Sequence, residues 1–129
     1  MKKYITLFSG SDNKSHFKEE SPDYAIQEHL GLYSKKIKVK GMQFRMFQAN
    51  AVYDWHNAPQ PQYIIYLNGK VEVEASDGEK RIFQDGDVLF ANDTTGKGHI
   101  TRTLTDGNSI VVTTHDDIID ESCSIRSKL

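Results

Sequence analysis

One cysteine, Cys123, is all the thiol in this 129-residue chain. A single thiol excludes an internal disulfide and a thiolate metal cage, and it fits a reducing cytoplasm. No apolar run approaches the roughly 20 residues that cross a bilayer as a helix, so no membrane is expected as a partner. No charge dominates either: 16 Lys and Arg stand against 18 Asp and Glu, a formal net charge of −2. Surfaces that grip phosphates are ordinarily strongly basic, so nucleic acid is not an expected partner. Met1-Lys2-Lys3 opens like a secretory signal. However, the apolar stretch from Tyr4 to Phe8 stops at Ser9-Gly10, short of the roughly 7–15 residues such a segment needs, and reads as a first strand.

What is present is bulk for one core, six Phe and six Tyr, and a series of turn signals. Ser11 to Glu20 is polar and without period, and reads as loop. Pro22 to Leu32, with apolar Tyr24, Ile26 and Leu30, reads as one short helix. From Lys35 the pattern is period two: Ile37 and Val39 alternate with lysines, and Met42, Phe44 and Met46 alternate with Gln43 and Arg45. Tyr53 to Pro61 reads as a loop or an irregular strand edge. Asn68-Gly69 between two β-rich runs predicts a hairpin with a type I′ turn. Asp77-Gly78, Asp85-Gly86 and Asp106-Gly107 punctuate further short strands. Short strands at this spacing predict an all-β sandwich or barrel. Asp116 to Leu129 reads as a polar tail with a short helix.

Five histidines occur, at positions 16, 29, 56, 99 and 115, and two have informative surroundings. Asn50, His56, Ala58, Gln62 and Gly69 follow the spacing of the first cupin motif, with Asn50 at a glycine place, Ala58 at the second histidine and Gln62 at the glutamate. Gly86, then Gly96-Lys97-Gly98-His99, follow the second motif, with Thr103 at its asparagine place and Asn92-Asp93-Thr94-Thr95 replacing the proline stretch. Over Gly41 to Thr113 the chain therefore resembles the cupin superfamily. The stretch Asp93 to His99 also resembles small bacterial cupins without an assigned function. The resemblance implies an all-β, double-stranded β-helix (jelly-roll) barrel in a single domain spanning residues 1–129. Residues 1–34 would form an N-terminal strand and loop arm, and residues 116–129 a tail.

The resemblance further implies a metal site of three His and one Glu around Fe, Mn, Zn or Ni. This chain offers His56, Gln62 and His99. An amide in place of a carboxylate removes a negative charge and weakens the hold on a divalent cation. Asp54 shares a face with His56 if the strand is regular, and so is a substitute carboxylate. Strand phase puts Thr101 and Thr103 on the face of His99, and Ile64 and Tyr66 on the face of Gln62. Arg45 reads either as a solvated residue or as a hook for a carboxylate or phosphate. Trp55 and Tyr53 flank His56 as stacking surfaces or packing groups. The pocket expectation is thus Arg45, Trp55, Ile64, Tyr66 and Thr101.

The expected function is binding of a small organic molecule by a cytoplasmic homodimer, with metal-dependent, dioxygenase- or isomerase-like chemistry at an incomplete metal site. Two alternatives stay open. One is a metal-free sensor or carrier. The other is a metal-independent sugar isomerase using His56 or His99 as base with Tyr66 as its acid.

Overall fold

A computed structural model describes residues 3–120, with side chains through residue 115. The organising feature is a long hairpin folded on itself. Strand β5 (Lys36–Phe47) pairs with β12 (Gly107–Asp120), β6 (Val52–His56) with β11 (His99–Thr103), β7 (Gln62–Asn68) with β10 (Val88–Asn92), and β8 (Val71–Ala75) with β9 (Lys80–Phe83), all antiparallel. Rolling up this nested hairpin adds the pairings β12·β7 and β11·β8. The result is two sheets, β2-β1-β10-β7-β12-β5 and β6-β11-β8-β9. Here β1 is Tyr4–Ser9 and β2 is Ser15–Glu20. This is the strand order of a jelly roll.

The core lies between the sheets. Leu7, Ile64, Leu89 and Val111 from one sheet meet Val71, Val73, Ala75 and Phe83 from the other, all buried. Tyr66 stacks on Phe83 at 5.3 Å between ring centroids. The burial pattern of β8, with Val71, Val73 and Ala75 buried and the glutamates between them only partly so, is strict period two.

Several expectations are corrected. Asn68-Gly69 is not a hairpin turn, because β7 and β8 belong to different sheets. Only Gly69 takes a positive φ, +83°, so the turn is not type I′, which needs two. Its glycine carries the chain from one sheet to the other past the backbone of Asp106 and Gly107, where a Cβ would lie 2.5 Å from the Asp106 carbonyl oxygen. Asp85-Gly86 is likewise a sheet-to-sheet corner, whereas Asp77-Gly78 does close the β8–β9 hairpin. The expected loop at 11–20 contains β2, a polar edge strand on β1. Its polarity reflects an outermost position with one solvated face. The expected first strand is β1, an interior strand parallel to β10.

The expected helix at Pro22–Leu32 is a small hairpin instead, β3 (Ile26–Glu28) with β4 (Gly31–Tyr33). Gly31 takes φ +135° at its turn, which no helix accommodates. The first residues of the expected tail continue β12, where Ile119 pairs with Ile37. Residues 121–129, with Cys123, lie outside the described residues.

His16 joins two turns. Its Nε2 lies 2.9 Å from the Asp12 carboxylate and its Nδ1 3.1 Å from Asp77. The hydrogen bond its ring donates to the Asp12 carboxylate, aided by the charge of Asp77, holds its pKa above the usual histidine value. A raised pKa means that protonation favours the folded state. This stabilisation is complete below about pH 6.5 and is lost as pH rises through the folded-state pKa. The effect is small because water screens the pair. Thermal unfolding should show a larger gap between wild type and His16→Ala at pH 6 than at pH 9. An equal gap at both would remove the charge interaction from this account.

Candidate functional site

The histidines His56 and His99 meet across β6 and β11, where they are register partners. Their ring centroids are 4.2 Å apart at 56°. In β11, residues His99, Thr101 and Thr103 pair with Ala75, Val73 and Val71, so they share the core-facing side, as strand phase predicts. His99 is 5% exposed, and His56 is half-buried.

A β-bulge aims His56. Between the pairs His99·His56 and Thr101·Tyr53, β11 spends two residues and β6 three. The extra residue in β6 reverses the alternation and puts Tyr53 on the face of His56. Their rings stack at 3.5 Å, within 5° of parallel. Asp54 therefore does not share the histidine face as a carboxylate ligand. Its Oδ1 accepts from the Trp55 amide, and its backbone carbonyl accepts from His56 Nδ1 at 2.7 Å.

Asp93 is the residue that sequence reasoning missed. It is fully buried, and its Oδ2 lies 2.5 Å from His99 Nδ1. Among the described residues its Oδ1 has no partner. A carbonyl and a carboxylate can only accept, so both histidines donate through Nδ1. In the neutral rings, both lone pairs then sit on Nε2. Among the described residues neither Nε2 has a hydrogen-bond partner. Burial, with the nearby His99 as a lesser cause, lowers the His56 pKa and favours that neutral form. The available sequence signal was an acid closing the apolar run Leu89-Phe90-Ala91, six residues before a histidine, with two glycines between.

The loop that carries Asp93 is clamped. Asn57 Nδ2 donates to the Asp93 and Gly96 carbonyls at 3.2 and 3.0 Å. Ser15 Oγ donates to the Gly98 carbonyl at 2.7 Å, and the Lys97 amide to Asn13 O at 3.0 Å. Lys97 is thus tied by its backbone, and β2 and its turn support the site.

The remaining expected residues divide along the barrel. Gln62 opens β7 and pairs with Ala91, two residues before Asp93, so it stands at the histidine end. Ile64 is buried in the core. Tyr66 lies four residues beyond Gln62, roughly 13 Å at strand rise, and is 1% exposed. Burial pushes its phenol pKa far up. Tyr66 is a packing residue, and the acid beside a histidine is Asp93. Arg45 Nε donates to Ser109 Oγ at 3.0 Å, and Ser109 pairs with Tyr66. Arg45 therefore belongs to the Tyr66 row, away from the histidines, and it is exposed, as the solvated reading has it. Trp55 sits in the bulge, half exposed.

A resident metal is poorly matched. Among the described residues no group of three or more His, Cys, Asp or Glu could hold an ion. Two imidazoles and an amide at Gln62 fall short of a carboxylate-bearing set. Elsewhere, an open depression of about 440 Å³ is lined by Gly69, Lys70, Gln84, Asp85 and Thr105, at the far end of β11 from His99.

The nested pairing decides the architecture. The chain has a jelly-roll fold. No family model matches it, and no curated protein matches it. Solved structures do. One is named a putative ethanolamine utilization protein Q from Salmonella typhimurium, 16% identical over 88% of this chain and 96% of that one, TM-score 0.49. An RmlC-like cupin protein from Desulfovibrio desulfuricans is 17% identical over 88% and 82%, TM-score 0.45. A cupin-2 domain protein from Shewanella frigidimarina is 15% identical over 62% and 80%, TM-score 0.45. The chain's chemistry rests on its own residues. Among the described residues no helix is long and apolar enough to cross a membrane.

Proposed function

We propose that this protein binds a small organic molecule at the His56–His99 corner, as a single cytoplasmic domain acting in a homodimer. One observation carries the ligand reading: two touching imidazoles on the core-facing side have both Nδ1–H groups spent and neither Nε2 paired. Both Nε2 atoms are open to solvent, since Asp93 Oδ1 is the one buried side-chain nitrogen or oxygen left unpaired among the described residues, so a ligand can reach them. The dimer reading rests on β5, an edge strand whose Met42, Phe44 and Met46 are 57%, 78% and 83% exposed. Such a run of exposed apolar groups marks an interaction face.

A second reading has its own support. Metal-bound histidines characteristically donate their other N–H to a carbonyl or carboxylate, as both do here. His56, His99 and the Gln62 amide would then hold an Fe, Mn, Zn or Ni ion that arrives with the ligand rather than residing in the protein.

The purified protein is assayed for metal, and its histidine side-chain ¹⁵N resonances are followed during titration with Zn²⁺, Co²⁺ and a panel of small polar compounds. The expected result is metal well below one ion per chain. Compounds that bind should move His56 and His99 together, and His56→Ala should weaken them at least tenfold. Near-stoichiometric iron, manganese, zinc or nickel would overturn the metal-free reading. Binding confined to Lys70 and Asp85 would place the ligand elsewhere. Light scattering on the same sample should give two chains per particle, and one chain would remove the dimer.

A further inference from the structure

We infer that the corner selects molecules by hydrogen-bond polarity: it takes neutral or cationic compounds bearing O–H or N–H donors, such as polyhydroxyl compounds and amines, and rejects anions. This rests on the proposed ligand site at His56 and His99 and adds the chemical class of its ligand.

The inference follows from what lies behind each ring. The Asp54 carbonyl is an obligate acceptor 2.7 Å from His56 Nδ1, so that nitrogen carries the hydrogen. Behind His99, the other tautomer would set a ring lone pair against a carboxylate oxygen at 2.5 Å. It would also leave Asp93 with no donor at all, since Oδ1 is already buried without a partner. An unpaired buried carboxylate is among the costliest states in a protein interior. Neither acceptor can turn away. The Asp54 carbonyl is strand backbone next to a bulge, and Asp93 is fully buried on a loop clamped by Asn57. Tyr53 stacks on His56 and limits its rotation.

In their neutral form both rings therefore offer Nε2 lone pairs, which accept hydrogen bonds and donate none. The Asp93 carboxylate beneath His99 adds negative potential. A pure acceptor such as phosphate would meet two acceptors and a buried acid, whereas a hydroxyl or ammonium group finds its complement.

Two measurements at pH 8 test this. Long-range ¹H–¹⁵N correlation of the imidazoles in the unliganded protein should show both rings protonated at Nδ1. Protonation at Nε2 in either ring would overturn the inference, whatever binds. The same resonances are then followed with glycerol, propylamine, acetate and inorganic phosphate added separately. Glycerol or propylamine should shift His56 and His99 at concentrations at least tenfold below any response to acetate or phosphate. A stronger response to phosphate or acetate overturns the polarity. Correct tautomers with no response to any of the four would sink the corner as a ligand site, and the inference with it.

Discussion

Gly98→Ala should lower the melting temperature by roughly 10 °C or more, while Gly78→Ala should cost only a few degrees. Both glycines take a positive φ, +74° and +100°, so an L residue pays a similar backbone penalty at each, about 1–2 kcal/mol. Their surroundings differ. Nothing lies within 4 Å of a Cβ at Gly78. At Gly98 a Cβ would lie 2.1 Å from the His56 carbonyl oxygen, 2.5 Å from its carbon and 3.0 Å from the Asn57 amide. All three are backbone atoms that no rotamer change can move. The added methyl must force the start of β11 from the end of β6, which parts His56 from His99. The total should reach about 3–5 kcal/mol, the range of steric disruption in a core. Calorimetry on both variants is the check, and a Gly98→Ala protein melting within 2 °C of wild type would refute the close approach.

Replacing His99 with Leu should cost about 3 kcal/mol or more in denaturant unfolding. Among the described residues the imidazole is the one hydrogen-bond partner of the Asp93 side chain, which is 0% exposed. Leucine leaves that carboxylate buried with no donor. The loss should exceed the apolar gain of the leucine because removing one member of a buried pair strands the other. Adding Asp93→Asn to His99→Leu should recover part of the loss, since a neutral amide is cheaper to bury than a carboxylate. A His99→Leu variant within 1 kcal/mol of wild type, or no recovery in the double variant, would contradict this coupling. Loss of binding in His99→Ala alone is therefore poor proof of a ligand contact, and His56, half-buried, is the better residue for that test.

The parts of the fold legible in the sequence are those set by local chemistry. The period-two runs at Gln62–Asn68 and Val71–Ala75 are strands, and Ile64 and Tyr66 face the core. Gly69, Gly78 and Gly86 all take the positive φ their turn positions demand. The pairing of His56 with His99 was readable only through motif spacing, because 43 residues of β structure separate them.

Other features had no local signal. Asn68-Gly69 and Asp77-Gly78 read alike, yet one crosses between sheets and the other closes a hairpin. The difference lies in which strands the rolled hairpin brings alongside. Polar β2 and the β3–β4 hairpin carry weak patterns because neither buries a full face.

By itself the sequence determined a one-cysteine, all-β chain with two histidines at cupin spacing, since turn propensity and side-chain alternation act over a few residues. The tertiary structure alone decided what those histidines can do. An extra residue in β6 turned Tyr53, not Asp54, toward His56, and a clamped loop carried Asp93 beneath His99. Both depend on register between distant strands. That register sets which ring nitrogen holds its hydrogen, and so which kind of molecule the corner can receive.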